Sequence, residues 1–177
     1  RLHRVFSYLD STIGYWIKQS FNISDHNPKM ELSVDSDHGG CLRTGRSTSG
    51  ARVELVTRGA SVRRGHFSRI QTVTAYPTTE AEYVSMATGL MELGLPAQQL
   101  YNDIMHRDIV LTVLVDNEGS QAIALSGDTN KLKYLNKHQR IRQGFARDTL
   151  FLNHDDREVQ RVASGDNKAD IFTKGLE

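Results

Sequence analysis

The sequence predicts a mixed α/β domain, and three observations carry the prediction. Glu31 to Thr74 reads as consecutive strands joined by tight connections, which implies an antiparallel meander. Ile109 to Asp116, IVLTVLVD, is a near-continuous β-branched and apolar run, the mark of a strand buried on both faces. The segments between and after these have helical composition, so helices and strands must share one layered core.

Taken in order, Leu2, Val5, Phe6 and Leu9 recur at helical spacing, and Asp10-Ser11-Thr12 reads as the helix end. Ile13 to Ile17 is apolar and aromatic enough for a strand. Ser20 to Met30, dense in Asn, Asp, Ser and Pro, reads as a linker and divides residues 1–30 from a main domain over residues 31–177. Leu32 and Val34 alternate with polar residues and lead to Asp35, Asp37 and a Gly-Gly turn. A second strand spans Ala51 to Thr57, Arg58-Gly59 turns the chain, and the third strand with its return runs from Ser61 to Thr74. Thr79 to Leu95, rich in Ala, Met, Leu and Glu, is a helix closed by Gly94 and Pro96, and a second helix follows over Ala97 to His106. After the buried strand come helices at Gly119 to Leu125 and Asn136 to Leu152, a last strand at Glu158 to Ala163 and a last helix at Ala169 to Lys174. No internal repeat or low-complexity tract interrupts this order.

Composition narrows the function classes. The 177 residues carry 22 Lys and Arg against 21 Asp and Glu, so any nucleic-acid binding must come from local patches rather than an overall basic field. One cysteine, Cys41, excludes an intrachain disulfide framework and a cysteine-based zinc site, which fits a reducing intracellular setting. No apolar run approaches the roughly 20 residues needed to span a bilayer, and RLHRVF lacks a signal-peptide core. The expectation is a protein without a membrane partner, and the opening Arg1 suggests a piece of a longer chain.

Acidic residues stand at element ends: Asp35 after the first strand of the meander, Glu82 in the first turn of its helix, Asp116 after the buried strand, and Asp170 at the start of the last helix. The functional crevice of an open α/β sheet lies at strand ends. Carboxylates converging there repel one another and raise their pKa values unless cations are present. Hard oxygen ligands of that kind suit Mg²⁺ or Mn²⁺.

Five stretches then carry a family likeness in chain order: VDSDHGGC with RSTSG behind it, TTEAEYVSM, VDNEGSQAIAL, NKHQRIR and ADIFTK. Together they resemble the ribonuclease H domain of Ty1/copia-type retrotransposon polyproteins, from about Ser33 to Leu176. RVFSYLDSTIGYWI is similar to the segment that closes the reverse transcriptase of the same polyproteins. The resemblance implies a ribonuclease H-like fold, a five-stranded mixed sheet flanked by helices, and hydrolysis of the RNA strand of an RNA:DNA hybrid. Its partners would be that hybrid and the reverse transcriptase domain, and its location a virus-like particle in the cytoplasm. It places the catalytic and metal-binding carboxylates at Asp35, Glu82, Asp116 and Asp170. The cofactor it implies is a pair of Mg²⁺ ions, with Mn²⁺ as the alternative. Asp35 would be shared between the ions, Glu82 and Asp116 completing one site and Asp170 the other.

Each residue has a plainer alternative. Glu82 lies three residues after Thr79, the spacing of a capping box, and Glu80 reads as a helix-dipole charge. Residues two apart on a helix point in nearly opposite directions, so only one glutamate can face a given site; the family pattern selects Glu82, which directly precedes Tyr83. Asp35 and Asp37 could be turn residues before Gly39, Asp116-Asn117 an Asx turn, and Asp170 a helix N-terminal charge. For substrate, Arg46 and Ser47 offer donors to phosphate or the 2′-hydroxyl, Asn117 and Ser120 lie beside Asp116, and His138 and Arg142 belong to a basic helix face. Arg63, Arg64 and Arg69 form a second basic candidate.

The chain departs from the family at three places. His38 and Arg63 stand where tryptophans are usual, and Ser164 to Lys168 lacks the histidine that cellular ribonucleases H often carry before the last aspartate, His154 being too far upstream. The first two changes remove aromatic packing beside the site, and the third leaves product release or proton transfer slower or reliant on water. A copy that binds nucleic acid or tethers the polymerase without cutting is the alternative reading. An integrase or transposase of the same fold places its glutamate last along the chain, whereas Glu82 comes second.

Overall fold

The computed structural model describes residues 2–15, 18–19, 27–75, 78–126, 137–150 and 155–174. Its centre is one five-stranded sheet of β1 (Lys29–Asp37), β2 (Thr48–Thr57), β3 (Ala60–Ile70), β4 (Val110–Val115) and β5 (Arg157–Arg161), in the order β3-β2-β1-β4-β5. β1, β2 and β3 form the antiparallel meander, while β4 runs parallel to both β1 and β5. The sheet is therefore mixed. Among the described residues five α-helices accompany it: α1 (Leu2–Ser11), α2 (Thr78–Gly89), α3 (Leu95–Met105), α4 (Glu118–Ser126) and α5 (Lys137–Leu150).

Alternation along the strands sorts the sheet into two faces. Met30, Leu32 and Val34 of β1, Ala51, Val53 and Leu55 of β2, and Leu111, Val113 and Val115 of β4 join Tyr83, Met86, Tyr101, Ala124, Ala146 and Leu150 from the helices in one apolar cluster. β4 is buried nearly throughout, as expected of a strand flanked by parallel neighbours. The opposite face carries Glu31, Ser33 and Asp35 of β1 across from Glu54, Arg52 and Gly50 of β2, and there the C-terminal segment 164–174 packs.

Several boundaries differ from the sequence reading. The helix that opens at Thr78 does not stop at Gly94 and Pro96; a π-helical turn, Leu90–Gly94, carries it straight into α3. Pro96 falls in the first turn of α3, where its missing N–H is no loss. Gly89 and Gly94 lie flat on the sheet: a Cβ on either would meet Val34 or Leu32 at 2.9 Å. Close helix-to-sheet packing, rather than chain termination, explains both glycines. The third strand ends at Ile70 instead of Thr74 and the last at Arg161 instead of Ala163, and the final helix is reduced to a 3₁₀ turn, Asp170–Phe172. Ile13 and Gly14 form a turn, not a strand, while Trp16 and Ile17 lie outside the described residues, as do residues 20–26 of the linker. In α1 the apolar residues Leu2, Val5, Phe6 and Leu9 are all exposed. Among the described residues no helix is long and apolar enough to cross a membrane.

Candidate active site

β1 and β4 run in the same direction with Ser33 level with Leu114, so two residues further on Asp35 comes level with Asp116. Parallel pairing thus brings two carboxylates together from positions 81 apart in the chain. The third comes from α2. Ser85 donates a 2.6 Å hydrogen bond to the Asp35 carbonyl and lies 3.2 Å from that of Gly50, which clamps the helix onto the ends of β1 and β2. Glu82, one turn earlier, then overhangs the strand ends. Asp35, Glu82 and Asp116 each offer a carboxylate oxygen within 4.8 Å of the others. Glu80 is buried but is not part of this group.

The electrostatics follow from this crowding. Burial, then the charges of Asp35 and Asp116, push Glu82 up to about 8, against a smaller lowering by Ser36. The Ser36 amide and hydroxyl face that carboxyl, although the hydroxyl makes no hydrogen bond of good geometry. Glu82 is thus turned toward β1 and not back onto its own helix start as in a capping box. Asp35 is raised by burial and by Asp116 and Asp170, opposed chiefly by a hydrogen bond that Thr173 donates to its Oδ2. Among the described residues no lysine or arginine forms an ion pair with Asp35, Glu82 or Asp116. Three hard carboxylates crowded without a cation of their own match the donor set of Mg²⁺ or Mn²⁺.

Asp170 stands next to this trio. It opens the C-terminal 3₁₀ turn, its charge acts on Asp35, and its Oδ2 accepts a 2.6 Å bond from Lys174, which also lies in the field of Asp35 and Asp116.

Solved structures place this geometry in a known fold. No protein-family model matches the sequence, and no curated protein matches it at a significant level. The RNase H1 of the halophilic archaeon Halobacterium salinarum superposes with a TM-score of 0.53 at 15% identity, over 82% of this chain and 93% of that one. An RNase H1 isolated from compost by a metagenomic approach gives 0.51 at 14% identity, over 81% and 91%. The N-terminal RNase H domain of a Mycobacterium tuberculosis protein, solved as a fusion with maltose-binding protein, gives 0.51 at 17%, over 82% and 90%. The chain has the ribonuclease H fold.

Within that fold the substrate candidates occupy different settings. Arg46 is exposed on the loop between β1 and β2. Ser47 is buried, its hydroxyl accepting from the Gly39 amide and its carbonyl from the Gln71 amide at 2.8 Å. The Asn117 side chain accepts from the Ser120 amide at 3.1 Å and so caps α4, directly after Asp116. Ser120 is buried beneath that cap, with its hydroxyl unpartnered. Arg142 of α5 lines a cleft with Ser49, Arg69, Gln71 and Thr88, while the side chain of His138 lies outside the described residues. His38, at the first departure from the family pattern, lies 3.2 Å from the Ala75 carbonyl and ties its loop to the approach of α2.

Sequence reasoning passed over the residues that hold the carboxylates in place. Thr173 and Lys174 sit in the ADIFTK stretch, where only Asp170 was read for chemistry. Ser85 sits in the TTEAEYVSM stretch, where only the glutamates suggest chemistry, and Asn167, which donates to the Val34 carbonyl at 2.9 Å, gives no periodic or motif signal.

Proposed function

We propose that this chain is an endonuclease that hydrolyses the RNA strand of RNA:DNA hybrids during reverse transcription. One observation carries the reading: Asp35, Glu82 and Asp116 converge at the strand ends of a ribonuclease H fold, and among the described residues no lysine or arginine forms an ion pair with any of the three. The order of the motifs along the chain supports assignment to the Ty1/copia type. It also supports residues 1–30 as the end of a reverse transcriptase and a virus-like particle as the setting.

Asp35, at the centre of the group, is the carboxylate suited to serve two ions, with Glu82 and Asp116 on one and Asp170 on the other. When bound, paired Mg²⁺ or Mn²⁺ ions acidify the attacking water and neutralise charge on the scissile phosphate and leaving oxygen. The carboxylates contribute position. β1 and β4 hold Asp35 and Asp116 level, α2 brings Glu82 over them, and the C-terminal turn sets Asp170 alongside. Asp35 is 6% exposed, which fixes the depth at which the phosphate is met. Water adds to phosphorus and the bond to the ribose 3′-oxygen breaks, leaving 5′-phosphate and 3′-hydroxyl ends. Arg46 and the basic residues His138 and Arg142 of α5 are the candidates to follow the backbone, and Asn117, beside Asp116, the candidate to reach the hybrid's minor groove.

The test is cleavage of an end-labelled RNA:DNA hybrid with Mg²⁺, beside duplex RNA and duplex DNA. Cuts confined to the hybrid, and lost with Asp35→Asn or Glu82→Gln but not with Glu80→Gln, are expected. Hybrid binding without cutting would instead establish the alternative, an inactive binding or tethering domain.

A further inference from the structure

The carboxyl of Asp35 has a dedicated hydrogen-bond donor from the far end of the chain. Thr173 Oγ1 donates to Asp35 Oδ2 across 138 positions of sequence, and Thr173 is itself 5% exposed. The same hydroxyl lies 3.0 Å from the Asp170 carbonyl, but a hydroxyl has one proton to give. The charged carboxylate is the stronger acceptor.

The hydroxyl's position is fixed by contacts on every side. Asn167 donates to the Val34 carbonyl, Lys168 Nζ reaches Glu54 at 2.6 Å, and Ser68 donates to the Phe172 carbonyl at 2.5 Å. The ring of His66 stacks on Phe172 with centroids 4.9 Å apart. Gly50 makes the approach possible, since a Cβ there would lie 2.7 Å from Thr173 Cγ2 and 3.1 Å from the Ala169 carbonyl.

We propose that Thr173 is a positioning residue for Asp35: its hydroxyl commits one carboxylate oxygen, orients the other toward the cations, and couples the β1 carboxylate to the turn that carries Asp170. The proposal rests on the metal-dependent reading above. Hydrogen-bond partners of ligating carboxylates commonly govern metal affinity, and here the partner belongs to the segment that supplies another ligand.

Mn²⁺ binding to the intact chain without hybrid, followed by the spectroscopic signal of the free ion, separates the two claims. Thermal melts without metal show which variants are folded. Thr173→Val, which keeps the volume and removes the donor, is expected to weaken Mn²⁺ binding about tenfold, and Thr173→Ser to restore it. Hybrid cleavage is expected to lose kcat in Thr173→Val with KM for the hybrid little changed. If Thr173→Val does not fold, Thr173→Ala gives the same readout without a buried methyl in place of the hydroxyl. A folded variant lacking the hydroxyl that binds Mn²⁺ as tightly as wild type overturns the role of Thr173 while leaving the metal site standing. Failure of wild type to bind Mn²⁺, with Asp35→Asn no different, overturns the metal reading and this inference with it.

Discussion

Glu31 and Glu54 face each other across β1 and β2, and Asp35 lies four residues beyond Glu31 on the same face, yet the two acidic groups are neutralised in opposite ways. Lys168 Nζ stands 2.6 Å from Glu54 and 3.4 Å from Glu31, and Arg52 pairs with Glu54 from the same strand. Burial pushes Glu54 up, but the hydrogen bonds and charges of Lys168 and Arg52 outweigh it and hold the carboxyl below its ordinary value. At the strand ends the group of Asp35, Glu82 and Asp116 has no such partner among the described residues, and Glu82 rises to about 8. The first group carries its cations within the chain and anchors the C-terminal segment. In the second, Lys174 is held by Asp170 and reaches the trio only through its field, so repulsion remains for an outside cation to relieve, a pattern that marks functional sites more often than structural ones.

The comparison breaks most visibly if metal fails to stabilise the protein. A ligand bound only by the folded state adds about 2.7 kcal/mol at a free concentration a hundred times its Kd. Urea unfolding with and without Mg²⁺ should show an increment of that order in wild type, none in Glu82→Gln, and an undiminished one in Lys168→Met. An equal increment in all three would mean that the ion binds elsewhere.

Lys168→Met tests the other group. Glu54 is 3% exposed in its side chain, and losing one of its two cations leaves a buried charge poorly compensated. Because Lys168 is itself 38% exposed and Arg52 remains, a loss of about 2 kcal/mol is expected rather than the larger penalty of an isolated buried charge. The same variant should free the C-terminal segment to exchange amide hydrogens faster. Unchanged stability and exchange would remove the anchoring role.

How much of this was legible beforehand depended on whether a residue's role was local. The meander, the buried β4 and the α2 helix announced themselves through alternation and composition, which are properties of neighbouring residues. Asp35, Glu82 and Asp116 stand out first as acidic residues at element ends, and the order of the motifs around them weighs against the cap or turn that each alone would fit. The continuation of α2 into α3 was hidden because Gly94 and Pro96 are stop signals by local rule, and only the sheet beneath shows why the glycines are there. Thr173, Ser85 and Asn167 act across 138, 50 and 133 positions, and no period or motif encodes such contacts. The final helix is shorter than its sequence predicts for a related reason: Asp170 to Thr173 is held by the sheet, not by its own helical propensity.

A third expectation concerns proton uptake by the group that lacks cations. The carboxyl of Glu82 titrates near 4.5 when unfolded and near 8 when folded without metal, so between those values the folded protein holds more protons than the unfolded chain. The contribution of Glu82 to the stability of the metal-free protein is therefore fully present below about pH 4.5 and is lost as pH rises through about 8. The half-buried carboxyl keeps some contact with water, so the decline should amount to about 1.5 kcal/mol, less than the full shift would give. Glu82→Gln should flatten the profile and make the metal-free protein more stable than wild type at pH 8. A profile that rises over this window, or one that Glu82→Gln leaves unaltered, would mean that the three carboxylates do not repel as their spacing requires.

The smallest effect belongs to an ion pair at the edge of the same face. Lys29 Nζ lies 3.8 Å from Glu158, with side chains 51% and 40% exposed, so water screens most of the attraction and holding both chains costs entropy. Lys29→Met should change stability by less than about 0.5 kcal/mol and leave Mn²⁺ binding untouched. Glu158 keeps its bonds from Thr112 at 2.7 Å and Gln160 at 2.9 Å without the lysine, so no buried group is stranded. The contrast with Lys168→Met isolates burial as the variable, because both lysines pair with glutamates on one face of one sheet. If Lys29→Met proved as damaging as Lys168→Met, the charge of that face as a whole, and not the local neutralisation of Glu54, would be what holds the C-terminal segment in place.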